Sequence, residues 1–132
     1  MGKSDIDSKP RVLIVEDSPD FSNLLKFIVE DEGVEGIQFP VNDVDILSWV
    51  TESKPILIIT DLALRKKSGL DYIKDLKGNA STKKIPIVII TGRDLSHKEV
   101  LELEMQGVKY FRKGRVDMND IRNEVRRCLP ER

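Results

Sequence analysis

Residues 56–61 read Ile56, Leu57, Ile58, Ile59, Thr60, Asp61, an unbroken apolar run that ends on a hydroxyl and a carboxylate. Alternation would mark a strand with one wet face, whereas continuous branched apolar residues mark a strand covered on both faces. Two further runs share the pattern. Val12 to Val15 is followed by Glu16 and Asp17, and Ile87 to Ile90 is followed by Thr91 and Gly92. These three runs predict central parallel strands, and the weaker extended segments Gly36 to Phe39 and Val108 to Phe111 suit the sheet edges.

Helical patterns fill the intervals. Phe21, Leu24, Leu25, Ile28 and Val29 recur at helical spacing, with Ser18 as an expected N-cap, Pro19 at the first helical position and Gly33 as the stop. Further helices are expected at Asp43 to Glu52 and Leu70 to Lys77, and from the capping-box pair Ser96 and Glu99 to Gly107. A last helix, Asp117 to Leu129, is expected to bury Met118, Ile121, Val125 and Leu129. Five strand-then-helix units with right-handed crossovers give an α/β, doubly wound, five-stranded parallel sheet with helices on both faces. The common order for such a sheet is 2-1-3-4-5, and ligands bind at the carboxyl ends of its strands.

At 132 residues the chain has room for one core. Residues 1–10 are polar and read as a disordered arm, leaving 11–132 as the folded domain. A formal net charge of -1 gives no long-range pull toward nucleic acid or an anionic membrane. The apolar runs are too short for a membrane span and the N-terminus does not read as a secretory signal, so the expected location is cytoplasmic. Cys128 is the only cysteine and reads as a filler on the last helix. His97 is the only histidine and reads as a surface residue, and Trp49 and Phe39 are placed in the core beside the second helix.

The chemistry gathers at the strand ends. If the first and third strands are neighbours, Glu16, Asp17 and Asp61 meet in one cleft, where like charges repel unless a cation intervenes. The donors are hard oxygens without His or Cys, which favours Mg²⁺, an ion that takes its remaining ligands from water and phosphate. Thr91 and Lys113, after the fourth and fifth strands, are expected across Asp61 from the acidic pair. There a hydroxyl and an ammonium would match the oxygens of a transferring phosphoryl group. Asp61 is the expected nucleophile.

From Arg11 to Leu129 the chain resembles the receiver domains of bacterial two-component response regulators, of which the chemotaxis regulator is the smallest kind. The matching motifs are the acidic pair Glu16-Asp17, the strand-end Asp61, the glycine eight residues on (Gly69), the Thr91-Gly92 step and Lys113. The resemblance implies a flavodoxin-like fold and phosphoryl transfer to Asp61 from a sensor histidine kinase or a histidine phosphotransfer protein. It implies that Mg²⁺ is held by Asp17, Asp61, the backbone carbonyl of Ala63 and water, with Glu16 helping through water. Phosphorylation would draw Thr91 toward the phosphate and Tyr110 inward, changing the face of helix 4, strand 5 and helix 5 for an unspecified downstream protein. Ala63, Gly92 and Arg93 would border the phosphate. Such a protein is not an enzyme beyond catalysing its own phosphorylation and dephosphorylation.

Two positions depart from the family pattern. Arg65 stands where the family usually has proline, within a basic run Arg65, Lys66, Lys67, and Gly114 replaces the proline that usually follows the lysine. Without proline a cis bond costs about 2.5–4 kcal/mol, so a trans bond or a mobile loop is expected at Lys113. These departures are the support for an alternative, a degenerate receiver that binds partners without being phosphorylated. Leu103 on helix 4 is placed either at a partner-facing edge or on a core flank. A dehalogenase-type phosphatase would need an acid where Ala63 stands, a flavodoxin-like electron carrier would need a hydroxyl-rich loop after the first strand, and no nicotinamide-type glycine fingerprint is present. The sequence shows no DNA-binding or enzymatic output segment after the fifth helix, so output is expected to pass through a partner.

Overall fold

In the computed structural model, which describes residues 9–40, 45–62 and 69–130, the three unbroken apolar runs form the middle of a parallel sheet. The strands are β1 (Arg11–Val15), β2 (Glu35–Gln38), β3 (Leu57–Thr60), β4 (Ile87–Thr91) and β5 (Val108–Arg112), in the order β2-β1-β3-β4-β5. The helices among the described residues are α1 (Pro19–Glu30), α2 (Ile46–Ser53), α3 (Gly69–Lys77), α4 (His97–Met105) and α5 (Met118–Cys128).

Because successive strand residues point to opposite faces, each continuous run feeds two cores. Val12, Ile14, Leu57, Ile59, Val88 and Ile90 pack beneath α1 and α5 with Leu25, Ile28, Val29, Ile121 and Val125. Leu13, Val15, Ile58, Ile87 and Ile89 pack on the other face with Ile46, Val50, Tyr72, Ile73, Leu76 and Leu103. Phe39 joins this second core through edge-to-face contacts with Trp49 and Tyr72, centroids 5.5 and 5.7 Å apart. Apart from the partly buried Trp49, every member named is buried, so burial on both faces sets the register.

Several expectations change at the edges of elements. Backbone pairing begins before Arg11, since the Glu35 N–H donates to the Pro10 carbonyl at 2.8 Å; residues 1–8 lie outside the described residues. β2 starts one residue earlier than expected, although the Phe39 N–H still donates to the Ile14 carbonyl at 2.8 Å. α2 begins at Ile46, capped by the Asp45 side chain, and the expected start at Asp43 lies outside the described residues. Ser18 occupies the N-cap of α1 without a side-chain capping bond, and its backbone N–H donates to the Glu16 carboxylate at 2.9 Å. The capping box Ser96–Glu99 is present, and a second one, Asp117–Asp120, opens α5. Met118 is therefore outside the core at the exposed start of α5. Leu103 lies in the core, and the exposed apolar residues of α4 are Leu101 and Met105. No described helix is long and apolar enough to cross a membrane.

Charged contacts fasten α5. Its Arg122 meets Asp31 and Glu32 just beyond α1, and Arg126 grips Glu32 with two nitrogens at 2.7 and 3.1 Å. On the side toward β5, the buried Glu124 accepts from Lys109 at 2.8 Å and from Arg127 at 2.6 Å. Burial pushes this carboxyl up, but the two cations outweigh it and hold it below its ordinary 4.5. The resulting stability is complete above that value and is lost as pH falls through the lower, folded one. Replacing Glu124 by Gln should therefore cost roughly 1–2 kcal/mol near neutral pH. Urea unfolding of parent and variant should show this gap closing as pH is lowered through and below 4.5; a gap independent of pH would contradict the assignment.

Candidate functional site

Sheet register delivers the site. Val15 pairs with Thr60, so the next residues, Glu16 and Asp61, leave β1 and β3 side by side; the Asp61 N–H donates to the Val15 carbonyl at 3.1 Å. On the other flank Thr91 pairs with Arg112, and the ladder runs one step further through a 2.7 Å bond from the Lys113 N–H to the Thr91 carbonyl. Four adjacent strand ends thus present Glu16, Asp61, Thr91 and Lys113 at one edge of the sheet.

Lys113 reaches back over this edge. Its Nζ lies 3.0 Å from Asp61 Oδ2 and 3.2 Å from Glu16 Oε1, so it sits between these two carboxylates and not across Asp61 from the acidic pair as expected. The other Asp61 oxygen accepts the Leu62 N–H at 2.6 Å. Burial alone would lower the Lys113 pKa, but hydrogen bonds and charge from Asp61 and Glu16 reverse this and raise it, so the ammonium is held charged. For Glu16 the balance falls the other way. Its burial outweighs the Ser18 N–H and Lys113 and raises the carboxyl above its ordinary 4.5. Lys113 thus bridges the two carboxylates, with the shorter contact to Asp61.

The bond between Lys113 and Gly114 is trans, since there is no cis peptide among the described residues, and Lys113 still contacts Asp61. Its ammonium also lies over the Phe21 ring of α1, 4.7 Å from the centroid. Nothing in the sequence reading gave Phe21 a role beyond the core stripe, although it lies one helical turn beyond Asp17. Asp17 is half-buried beside Glu16. The expected cluster of three carboxylates is not gathered: no group of three His, Cys, Asp or Glu residues among the described residues is close enough to hold a metal. What the arrangement does show is two hard carboxylate donors already sharing one cation, a donor set that suits a hard divalent ion. Ala63, Arg65, Lys66 and Lys67 lie outside the described residues.

Thr91 is buried, and its Oγ1 accepts the Arg93 N–H at 3.3 Å. The following loop is tied to β5 at three points. The Tyr110 hydroxyl donates to the Arg93 carbonyl at 3.0 Å, Arg112 Nε donates to the Gly92 carbonyl at 3.2 Å, and Arg112 Nη1 pairs with Asp94 at 2.5 Å. His97 is exposed at the first position of α4, with no role at this edge.

The family model for the response regulator receiver domain matches residues 12–126, and the chain belongs to that family. The phosphate regulon transcriptional regulatory protein PhoB of Klebsiella pneumoniae is 34% identical over 103 residues, 78% of this chain and 44% of that protein. Chemotaxis protein CheV1 of Helicobacter pylori is 32% identical over 131 residues, 96% of this chain and 40% of that protein. The chain thus spans less than half the length of these curated relatives. Among solved structures, chemotaxis protein CheY4 of Vibrio cholerae superposes with a TM-score of 0.76 at 19% identity, covering 92% of this chain and 100% of that one. The receiver domain of a LuxO-type repressor from Vibrio parahaemolyticus does so at 0.74 and 27% identity, covering 91% and 92%.

Gly69 shows why the site needs that glycine. A Cβ there would fall 2.0 Å from the Asp61 carbonyl oxygen and 2.8 Å from the Leu62 Cα, both backbone atoms that cannot rotate away. Gly69→Ala should lower stability by about 1–3 kcal/mol, whereas Gly92→Ala, with nothing within 4 Å of the added carbon, should stay within about 0.5 kcal/mol. Chemical denaturation of the two variants checks this, and equal losses would place the close approach elsewhere.

Proposed function

We propose that this receiver domain accepts a phosphoryl group on Asp61 from a phosphohistidine donor, a sensor histidine kinase or a histidine phosphotransfer protein. The observation that carries the reading is the Lys113 ammonium resting 3.0 Å from Asp61 at the strand edge, despite the glycine at 114. An Asp61 oxygen attacks phosphorus, the P–N bond of the donor breaks, and the imidazole leaves as the P–O bond of an acyl phosphate forms. Hydrolysis of that acyl phosphate returns the carboxylate and inorganic phosphate, so the domain turns over its own modification and no other substrate.

Receiver domains of this family generally bind Mg²⁺ at the phosphorylation site. Here Asp17, Asp61 and the backbone carbonyl of Ala63 would hold it, with Glu16 acting through water, and the ion would neutralise charge on the incoming phosphoryl oxygens. Lys113 serves the same end from the protein side. It exchanges its contact with Asp61 Oδ2 for a phosphoryl oxygen, a charge-assisted bond worth roughly 1.5–3 kcal/mol. Thr91 supplies a hydroxyl donor, since its Oγ1 only accepts from the Arg93 N–H and its O–H stays free to turn, with Gly92 and Arg93 bordering the phosphate.

Switching follows from the same bonds. Moving Thr91 toward phosphate pulls on a loop that Tyr110 and Arg112 hold, so those contacts rearrange with it and Tyr110 turns inward. The α4-β5-α5 face, where Leu101 is 58% and Met105 86% exposed, is the output surface for a downstream protein. The contact of Lys113 with Asp61 beside Gly114 supports this reading over a receiver that binds partners without being phosphorylated.

Intact-mass measurement after incubation with acetyl phosphate and Mg²⁺ should show one added phosphoryl group on the parent and none on Asp61→Asn. Equal modification of both proteins would reject Asp61 as the acceptor.

A further inference from the structure

The Lys113 ammonium lies against two carboxylates, Asp61 and Glu16, and over an aromatic ring. The Lys113 Nζ lies 4.7 Å from the Phe21 centroid, within the range where a ring face attracts a cation. The backbone of Lys113 is fixed by its ladder bond to Thr91 and by a turn that closes through the Arg115 and Val116 N–H groups on the Arg112 carbonyl, with Val116 packed against the core. At Gly114 an added Cβ would meet nothing within 4 Å, so this turn places the lysine backbone without covering its side chain. Its side chain is 30% exposed, leaving a route outward into solvent, and Phe21 is half-buried on the helix that flanks this route.

We propose that Phe21 is a positioning residue for phosphoryl transfer, its ring holding the Lys113 ammonium at the acceptor carboxylate. The inference rests on the reading of Asp61 as phosphoacceptor. Phe21 touches neither phosphate nor metal in this role; it acts through Lys113 and limits where that ammonium can go when Asp61 carries a phosphoryl group. The contact is worth a few-fold in rate, because an ammonium freed from the ring spends more of its time hydrated and outside bonding distance.

The test is a series at position 21 in the full chain: Phe21→Tyr, Phe21→Trp, Phe21→Leu, and phenylalanine carrying one, two or three ring fluorines, which weaken the negative ring face with little change of shape. Phosphorylation by acetyl phosphate with Mg²⁺ is followed by intact mass, and folding of each variant by thermal denaturation. Expected is a rate that falls about three- to tenfold for Phe21→Leu, falls steadily with each added fluorine and is kept by Tyr and Trp. In the metal-free protein the Lys113 ε-methylene protons should show an upfield ring-current shift that Phe21→Leu abolishes. A flat fluorine series, or a lysine without that shift, overturns the role of Phe21. A parent that is not phosphorylated at all overturns the reading of Asp61 instead, so the two failures are distinguishable.

Discussion

Everything at the functional edge depends on one shared cation. Glu16 and Asp61 are forced side by side by the β1–β3 register, and two partly desolvated carboxylates at neighbouring strand ends would repel strongly without a positive charge between them. Lys113 supplies it, at 3.2 and 3.0 Å. The sheet therefore builds a site that is costly without a cation and receptive to any group that brings one or needs one. Divalent metal and phosphoryl group fit that description together, which makes the chemistry proposed for the chain a continuation of the electrostatics that already hold the strand ends in place.

The same edge explains how a small event at Asp61 can be felt elsewhere. Thr91 and Lys113 are joined through the backbone, and the loop after Thr91 is bonded to Tyr110 and Arg112 on β5. Strand β5 in turn lies beneath α5 through Lys109 and the buried Glu124. These are discrete hydrogen bonds and ion pairs that are either made or broken, so the switch proposed above would pass between alternatives and not through an elastic deformation.

Much of this was legible in the residues. Continuous apolar runs announced doubly covered strands because both faces of a parallel sheet are buried, and their last residues placed the carboxylates, the threonine and the lysine at one edge. What could not be read was where side chains finally point. Leu103 and Met118 each sit at spacings compatible with core or surface, and the outcome was decided by packing against β4 and β5 for the first and by the Asp117 cap for the second. Lys113 was expected opposite the acids, but a long flexible side chain goes where charge is densest, and that is between them. Phe21 was hidden for a related reason: an aromatic at helical spacing looks like core until the cation that faces it is located.

The charged clasp between α5 and the end of α1 has a consequence for biosynthesis. Arg122 and Arg126 meet Asp31 and Glu32 across some ninety positions of chain, and beneath that clasp lie Ile14, Ile59 and Ile90. While the polypeptide emerges from the ribosome, the α2–α4 side of the sheet can close as soon as β5 docks, yet the opposite layer stays half-roofed until the last helix arrives. For that interval greasy strand residues are open to water and to neighbouring nascent chains, an exposure that ends when α5 docks and its arginines meet Asp31 and Glu32.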